Sequence, residues 1–113
     1  METYVQQVTA CRKQINGVFQ QHFGMMANTF VRHFGGNYSG RLWSLQYLRS
    51  ELTQDTYTRW RAKTYYVRQP DFDFEQVWQN CMSDLEPVLA VWEVVNWTHN
   101  DTFTGSKSQL SVL

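Results

Sequence analysis

Residues 72–95 read FDFEQVWQNCMSDLEPVLAVWEVV, and this stretch decides the fold class. Its apolar side chains recur at Phe74, Val77/Trp78, Cys81/Met82, Leu85, Val88/Leu89, Trp92 and Val95. Steps of three and four place all of them on one face of an α-helix. The start is also marked. Asp73 is suited to N-cap the helix with Gln76 three residues on, and Phe72 and Val77 stand where a hydrophobic staple would form. Pro87 interrupts the period, so the sequence predicts either a kink or a second helix beginning after Glu86.

The same spacing runs through the N-terminal third: Val5, Val8, Cys11, Ile15, Val18/Phe19, Phe23, Met26, Phe30 and Phe34. Gly24 is a natural stop. A first helix is therefore expected near residues 3–23 and a second near 25–34. One long helix is the alternative, in which Gly17 and Gly24 would each cost about 1 kcal/mol relative to Ala. Gly35-Gly36-Asn37-Tyr38-Ser39-Gly40 reads as a loop. Leu42, Leu45, Leu48 and Leu52 then predict a helix near 40–52, after which Thr53 can cap a segment over 54–67. That segment is ambiguous, because Tyr57/Arg59/Arg61/Lys63 alternates with Thr58/Trp60/Ala62/Thr64 as a strand would; helix is the preferred reading. Residues 98–113, rich in Ser and Thr, read as a mobile C-terminal tail. The expectation is an all-α protein, a compact bundle of four to five helices over residues 1–97 with a flexible tail over 98–113.

A length of 113 residues fits one domain, and 42% hydrophobic with 16% aromatic content excludes disorder of the whole chain. The formal charge of zero conceals an asymmetry. Residues 1–70 hold nine Lys/Arg against three Asp/Glu, a net of +6, and residues 71–113 hold one against seven, a net of −6. The first residues lack the pattern of a signal peptide, no apolar run approaches 18 residues, and two cysteines allow at most one bridge. These features predict a cytoplasmic protein with reduced thiols and no membrane segment.

No motif names a reaction. Cys11, His22 and His33 recur at intervals of 11, but on a continuous helix each interval rises about 16.5 Å, too far for one metal ion. Neither a Cys-x-x-Cys nor a His-x-x-x-His pair occurs. A cysteine on an apolar helix face is expected to be inert core. Asp71, Asp73 and Glu75 stand where helix-start acids are favoured by the helix dipole. Gly35-Gly36 lacks the Lys and hydroxyl residue of a phosphate loop. Neither metal, cofactor nor catalytic residue is expected, and the chain is read as non-enzymatic.

What remains is recognition. Arg49, Arg59, Arg61, Lys63 and Arg68 interleave with Tyr57, Trp60, Tyr65 and Tyr66. Cations beside stacking rings suit single-stranded nucleic acid. Two helices meeting at Thr53 would also allow a helix-turn-helix, with Gln54, Thr56, Arg59 and Lys63 facing a groove. The competing reading puts Tyr57, Trp60 and Tyr65 in the core. Eighteen aromatic residues exceed what one small core easily encloses, and surplus Trp and Tyr anchor interfaces. Trp43, Tyr47, Trp60, Tyr66 and Trp78 are the candidates for such anchors. A −6 segment on the same domain would oppose nucleic acid. The sequence therefore predicts, first, a protein-binding module of adaptor, inhibitor or immunity type, with a possible homodimer. Its face would be formed by Trp43, Tyr47, Arg49, Arg59, Trp60, Arg61, Lys63, Tyr66 and Arg68 and would meet an acidic surface. Binding of nucleic acid through residues 49–68 is the second expectation.

Overall fold

The structure, a computed structural model, describes residues 2–36 and 44–104, and side chains as far as residue 100. Among the described residues it is entirely helical: α1 (Tyr4–Phe23), α2 (Ala27–Phe34), α3 (Leu45–Glu51), α4 (Gln54–Thr64), a single 3₁₀ turn (Tyr65–Val67) and α5 (Phe74–Thr104). The all-α bundle expected from the periodicity is the fold.

Local chemistry sets the boundaries. Thr3 and Gln6 close a capping box at the start of α1. Gly24 ends that helix at φ 74°, a left-handed conformation that glycine adopts without a Cβ penalty, and its N–H donates to the Gln20 carbonyl. Ser44 and Thr53 cap α3 and α4 through their hydroxyls. Asp73 Oδ1 accepts from the Gln76 N–H at 3.0 Å, as its position ahead of the apolar period predicts. Met26 has no capping side chain, and α2 borrows one from α1: Asn16 Oδ1 accepts the Ala27 N–H at 3.0 Å.

α1 and α5 lie antiparallel. Tyr4 Oη donates to Asn96 Oδ1 at 2.7 Å, the Tyr4 ring stacks on His99 at 3.8 Å, and His22 Nε2 meets Asp84 Oδ2 at 2.7 Å at the other end. Helices α2 and α4 close the core over the first half of α5. There Trp60, 1% exposed, meets Phe23, Phe74 and Trp78 at ring separations of 4.9, 5.2 and 6.2 Å.

Several expectations shift. Helix α2 begins at Ala27 rather than near 25, because Met26 serves as its N-cap. Helix α3 begins at Leu45 after its Ser44 cap, and the first expected residues of that helix fall in 37–43, outside the described residues. The 54–67 segment is helical rather than extended, since Thr56, Tyr57 and Trp60 reach the core at helical spacing. Its regular part stops at Thr64, whose hydroxyl donates to the Trp60 carbonyl at 2.6 Å, and a 3₁₀ turn follows. Pro87 neither divides nor ends α5. It removes the N–H that would bond the Ser83 carbonyl, but both residues are exposed, so water can reach the freed group. Residues 98–104, expected in the tail, continue α5; Tyr4 of α1 holds Asn96 just before them and His99 within them. Residues 105–113 lie outside the described residues. Val5, expected on the buried face, is exposed.

Candidate functional site

The basic-aromatic segment divides into two parts with different roles. Arg59 and Lys63 turn toward the C-terminus of α2: Arg59 Nε donates to the Phe34 carbonyl at 2.6 Å and Lys63 Nζ to the His33 carbonyl at 3.1 Å. These are two of the last carbonyls of α2, where the helix carries partial negative charge. Arg59 Nη2 also reaches Thr56 Oγ1 at 3.3 Å. Thr56 is fully buried, so three of the four side chains expected to face a groove are either buried or bonded to the protein itself. Glu51, 4% exposed, completes this corner by accepting the Gly36 N–H at 2.9 Å. The backbone approaches closely here. A Cβ on Gly35 would stand 2.6 Å from the Val31 carbonyl oxygen and 2.8 Å from Glu51 Oε1.

Arg61, Tyr65, Tyr66 and Arg68 turn outward around the 3₁₀ turn. Tyr65, Tyr66 and Val67 are 62, 72 and 68% exposed. A 3₁₀ turn spaces successive side chains about 120° apart, so three consecutive residues cannot share one buried face. Beside the turn is a hollow of about 450 Å³ bounded by Arg61, Tyr65, Gln69, Pro70, Phe72 and Phe74. The Arg61 guanidinium carbon lies 5.6 Å from the Phe74 ring centroid, and that of Arg68 lies 4.8 Å from the Phe72 centroid. Arg61 also borders a second hollow of about 370 Å³, whose rim carries Asp71, Asp73 and Glu75. The corner thus presents an aromatic floor with two cations above it and three carboxylates along one side.

The other expected site residues lie elsewhere. Trp60 and Trp78 are core, which takes both out of any docking surface. Tyr47 is half-buried and packs against the core. Arg49 is on α3, its Nη2 2.9 Å from Glu93 Oε1. Trp43 lies outside the described residues. Direct neutralisation between the basic and acidic halves is therefore partial: Arg49 bridges to α5, while Arg59 and Lys63 bond helix carbonyls instead of carboxylates.

The thiols and imidazoles are structural in placement. Cys11 and Cys81 are free and buried. Burial raises the Cys11 thiol, and burial followed by the Asp84 charge pushes Cys81 up to about 12. The pairing of Tyr4 with Asn96 and of His22 with Asp84 sets Cys11 and Cys81 about ten residues apart along the helix pair. At 1.5 Å per residue that is roughly 15 Å, beyond reach of a disulfide. Among the described residues no three His, Cys, Asp or Glu gather in a metal-binding group, and no helix is long and apolar enough to cross a membrane.

Two exposed apolar features escaped the sequence reading: Val67, and a stripe on α5 formed by Val91, Val94 and Trp97. The stripe carries a signal that could have revealed it, since it lies off the face that buries Trp78, Leu85 and Trp92. Comparison of the chain with protein-family models, with curated proteins and with solved structures finds no match.

Proposed function

We propose that the chain is a non-enzymatic protein-binding module, of adaptor or inhibitor type, which takes an acidic segment of a partner protein at the corner between α4 and α5. One observation carries this reading. Tyr65, Tyr66 and Val67 stand exposed in succession beside an aromatic-floored hollow, with Arg61 and Arg68 above its rings. Exposed tyrosines and arginines around an apolar depression are the residue types that carry most binding energy at protein interfaces. An apolar side chain of the partner would fill the hollow, and a neighbouring carboxylate would meet Arg61 or Arg68. Asp71, Asp73 and Glu75 would repel the same carboxylate from the other side, giving the bound segment one direction.

The proposal favours protein over nucleic acid because the cations that could follow a phosphate backbone are fewer than the sequence suggests. Arg59 and Lys63 are bonded to α2, and Trp60 is unavailable for stacking. The test is affinity capture from cells that express the chain, comparing wild type with the double variant Tyr66→Ala/Arg68→Ala. A stoichiometric protein retained by wild type and lost from the variant is the expected result. Equal capture by both, or retardation of DNA or RNA at about 50 mM salt without a protein partner, would reject it.

A further inference from the structure

The floor of the α4–α5 hollow is the outer edge of the aromatic core. Trp60 meets Phe74 edge to face at 5.2 Å, and Phe74 meets Phe72 in the same way at 4.7 Å. Phe74 is buried and Phe72 half-buried, and the exposed Tyr65 forms a wall beside them. Among the described residues, Arg61 is the one charged side chain that lines this hollow, and it is held from two sides. Its guanidinium carbon lies 5.6 Å from the Phe74 centroid, and its Nη1 donates to Tyr57 Oη at 3.3 Å. A guanidinium is planar and has two faces. Phe74 takes one, and Arg61 is exposed, so the other is open to whatever enters the hollow.

We infer that the hollow takes an aromatic side chain of the partner's acidic segment, stacked on Arg61, and that the adjoining carboxylate pairs with Arg68. The inference rests on the docking corner proposed above and gives its two arginines different roles. An aliphatic side chain would also remove apolar surface from water, but only a ring offers the guanidinium the negative face of a π-system. Such a ring would extend the edge-to-face array of Trp60, Phe74 and Phe72 by one member, against Tyr65.

The carboxylate belongs with Arg68 on grounds of charge. Arg61 also borders the second hollow, where Asp71, Asp73 and Glu75 stand, so an anion brought to it there meets like charge. Arg68 does not line that hollow. Its guanidinium carbon lies 4.8 Å from the Phe72 centroid, and it makes no hydrogen bond or ion pair among the described residues. Stacking fixes the plane and leaves its N–H edge for a bidentate bond to a carboxylate. Because the Phe72 and Phe74 rings are 4.7 Å apart, the two cations stand over adjoining rings. The aromatic and acidic residues of the segment are therefore sequence neighbours.

NMR titration of the isotope-labelled full chain with capped tripeptides tests this. The probe is acetyl-Asp-Phe-Asp-amide, with an acid on either side of the ring. One control replaces Phe by cyclohexylalanine, which keeps the size and removes the π-system; another replaces both Asp by Asn. The expected result is that the probe shifts the amides of Tyr65, Gln69 and Phe74 and binds at least about threefold more tightly than the cyclohexyl control. Arg61→Lys, which keeps the charge and loses the plane, should bring that ratio close to one. Arg68→Ala should make the Asp and Asn peptides bind alike, although wild type prefers Asp. Both arginines are exposed, so circular dichroism should show each variant folded as wild type. Equal binding of the aromatic and cyclohexyl peptides, a preference that survives Arg61→Lys, or a preference for Asp that survives Arg68→Ala overturns the inference. So does the absence of shifts at these amides up to about 10 mM peptide. A captured partner lost from Tyr66→Ala/Arg68→Ala, together with equal binding of the two rings, would strike this inference and leave the docking corner standing. The aromatic preference without any captured partner would do the opposite.

Discussion

At Gly35 and Gly36 the backbone comes close enough to Glu51 and Arg59 that single atoms decide the packing. A methyl on Gly35 would stand 2.6 Å from the Val31 carbonyl oxygen, which is helix backbone and cannot swing away, and 2.8 Å from the Glu51 carboxylate, a side-chain end that could move only by giving up its bond to the Gly36 N–H. Gly35→Ala should destabilise the fold by about 1–3 kcal/mol, read from the urea midpoint, although its φ of −72° is open to any residue. Cys81 gives a second prediction at this scale. Its folded thiol ionises near 12 against an ordinary value near 9, so the folded state holds a proton that the unfolded chain has lost between those limits. The resulting contribution to stability is complete below about pH 9 and falls by about 1.4 kcal/mol per unit as pH rises toward 12. Cys81→Ala should flatten that part of the stability–pH curve relative to wild type. An unchanged slope would show that other groups set it.

Among the elements, α2 and α5 show what a sequence can and cannot disclose. The eight-residue α2 is too short to persist alone. Asn16 holds it at one end, and Arg59 and Lys63 hold it at the other. Arg59→Ala should cost about 1–3 kcal/mol by leaving the partly buried Phe34 carbonyl without its charged donor, whereas Lys63→Ala, at an exposed bond, should cost under about 1 kcal/mol. Hydrogen exchange in α2 should rise more in the first variant than in the second. Helix α5 makes the opposite case. Pro87→Ala restores an N–H for the Ser83 carbonyl and should stabilise the protein by about 1–2 kcal/mol after allowance for the freer unfolded chain. Repeating apolar spacing made both helices, and the caps at Gly24, Thr53 and Asp73, legible in the sequence, because period and cap are local properties. The role of Arg59 was not legible: its partner carbonyl is 25 residues away, and only the fold brings the two together. Trp60 was misjudged for the same reason. Its neighbours Arg59 and Arg61 suggested an exposed surface, but it sits one turn from Thr56 on the buried side of α4. The exposure of Tyr66 and Arg68 follows from a local feature, because a segment that ends before a proline leaves its last residues few neighbours to bury them.

For the molecule as a whole, the +6 and −6 halves of the chain meet at two places among the described residues: Arg49 bridges to Glu93, and Arg61 borders the hollow rimmed by Asp71, Asp73 and Glu75. The two exposed apolar surfaces are separated by position: the tyrosine corner at the start of α5 and the Trp97 stripe in its second half. The two share no residue, so Trp97→Ala should leave the affinity of the tyrosine corner for its protein partner unchanged within about threefold, since distant sites with no shared contacts behave additively. Tyr66→Ala/Arg68→Ala, in contrast, should abolish binding; titration calorimetry with the captured partner reads both. Loss of partner binding in Trp97→Ala would mean that the partner spans both surfaces and that the two form a single interface along α5.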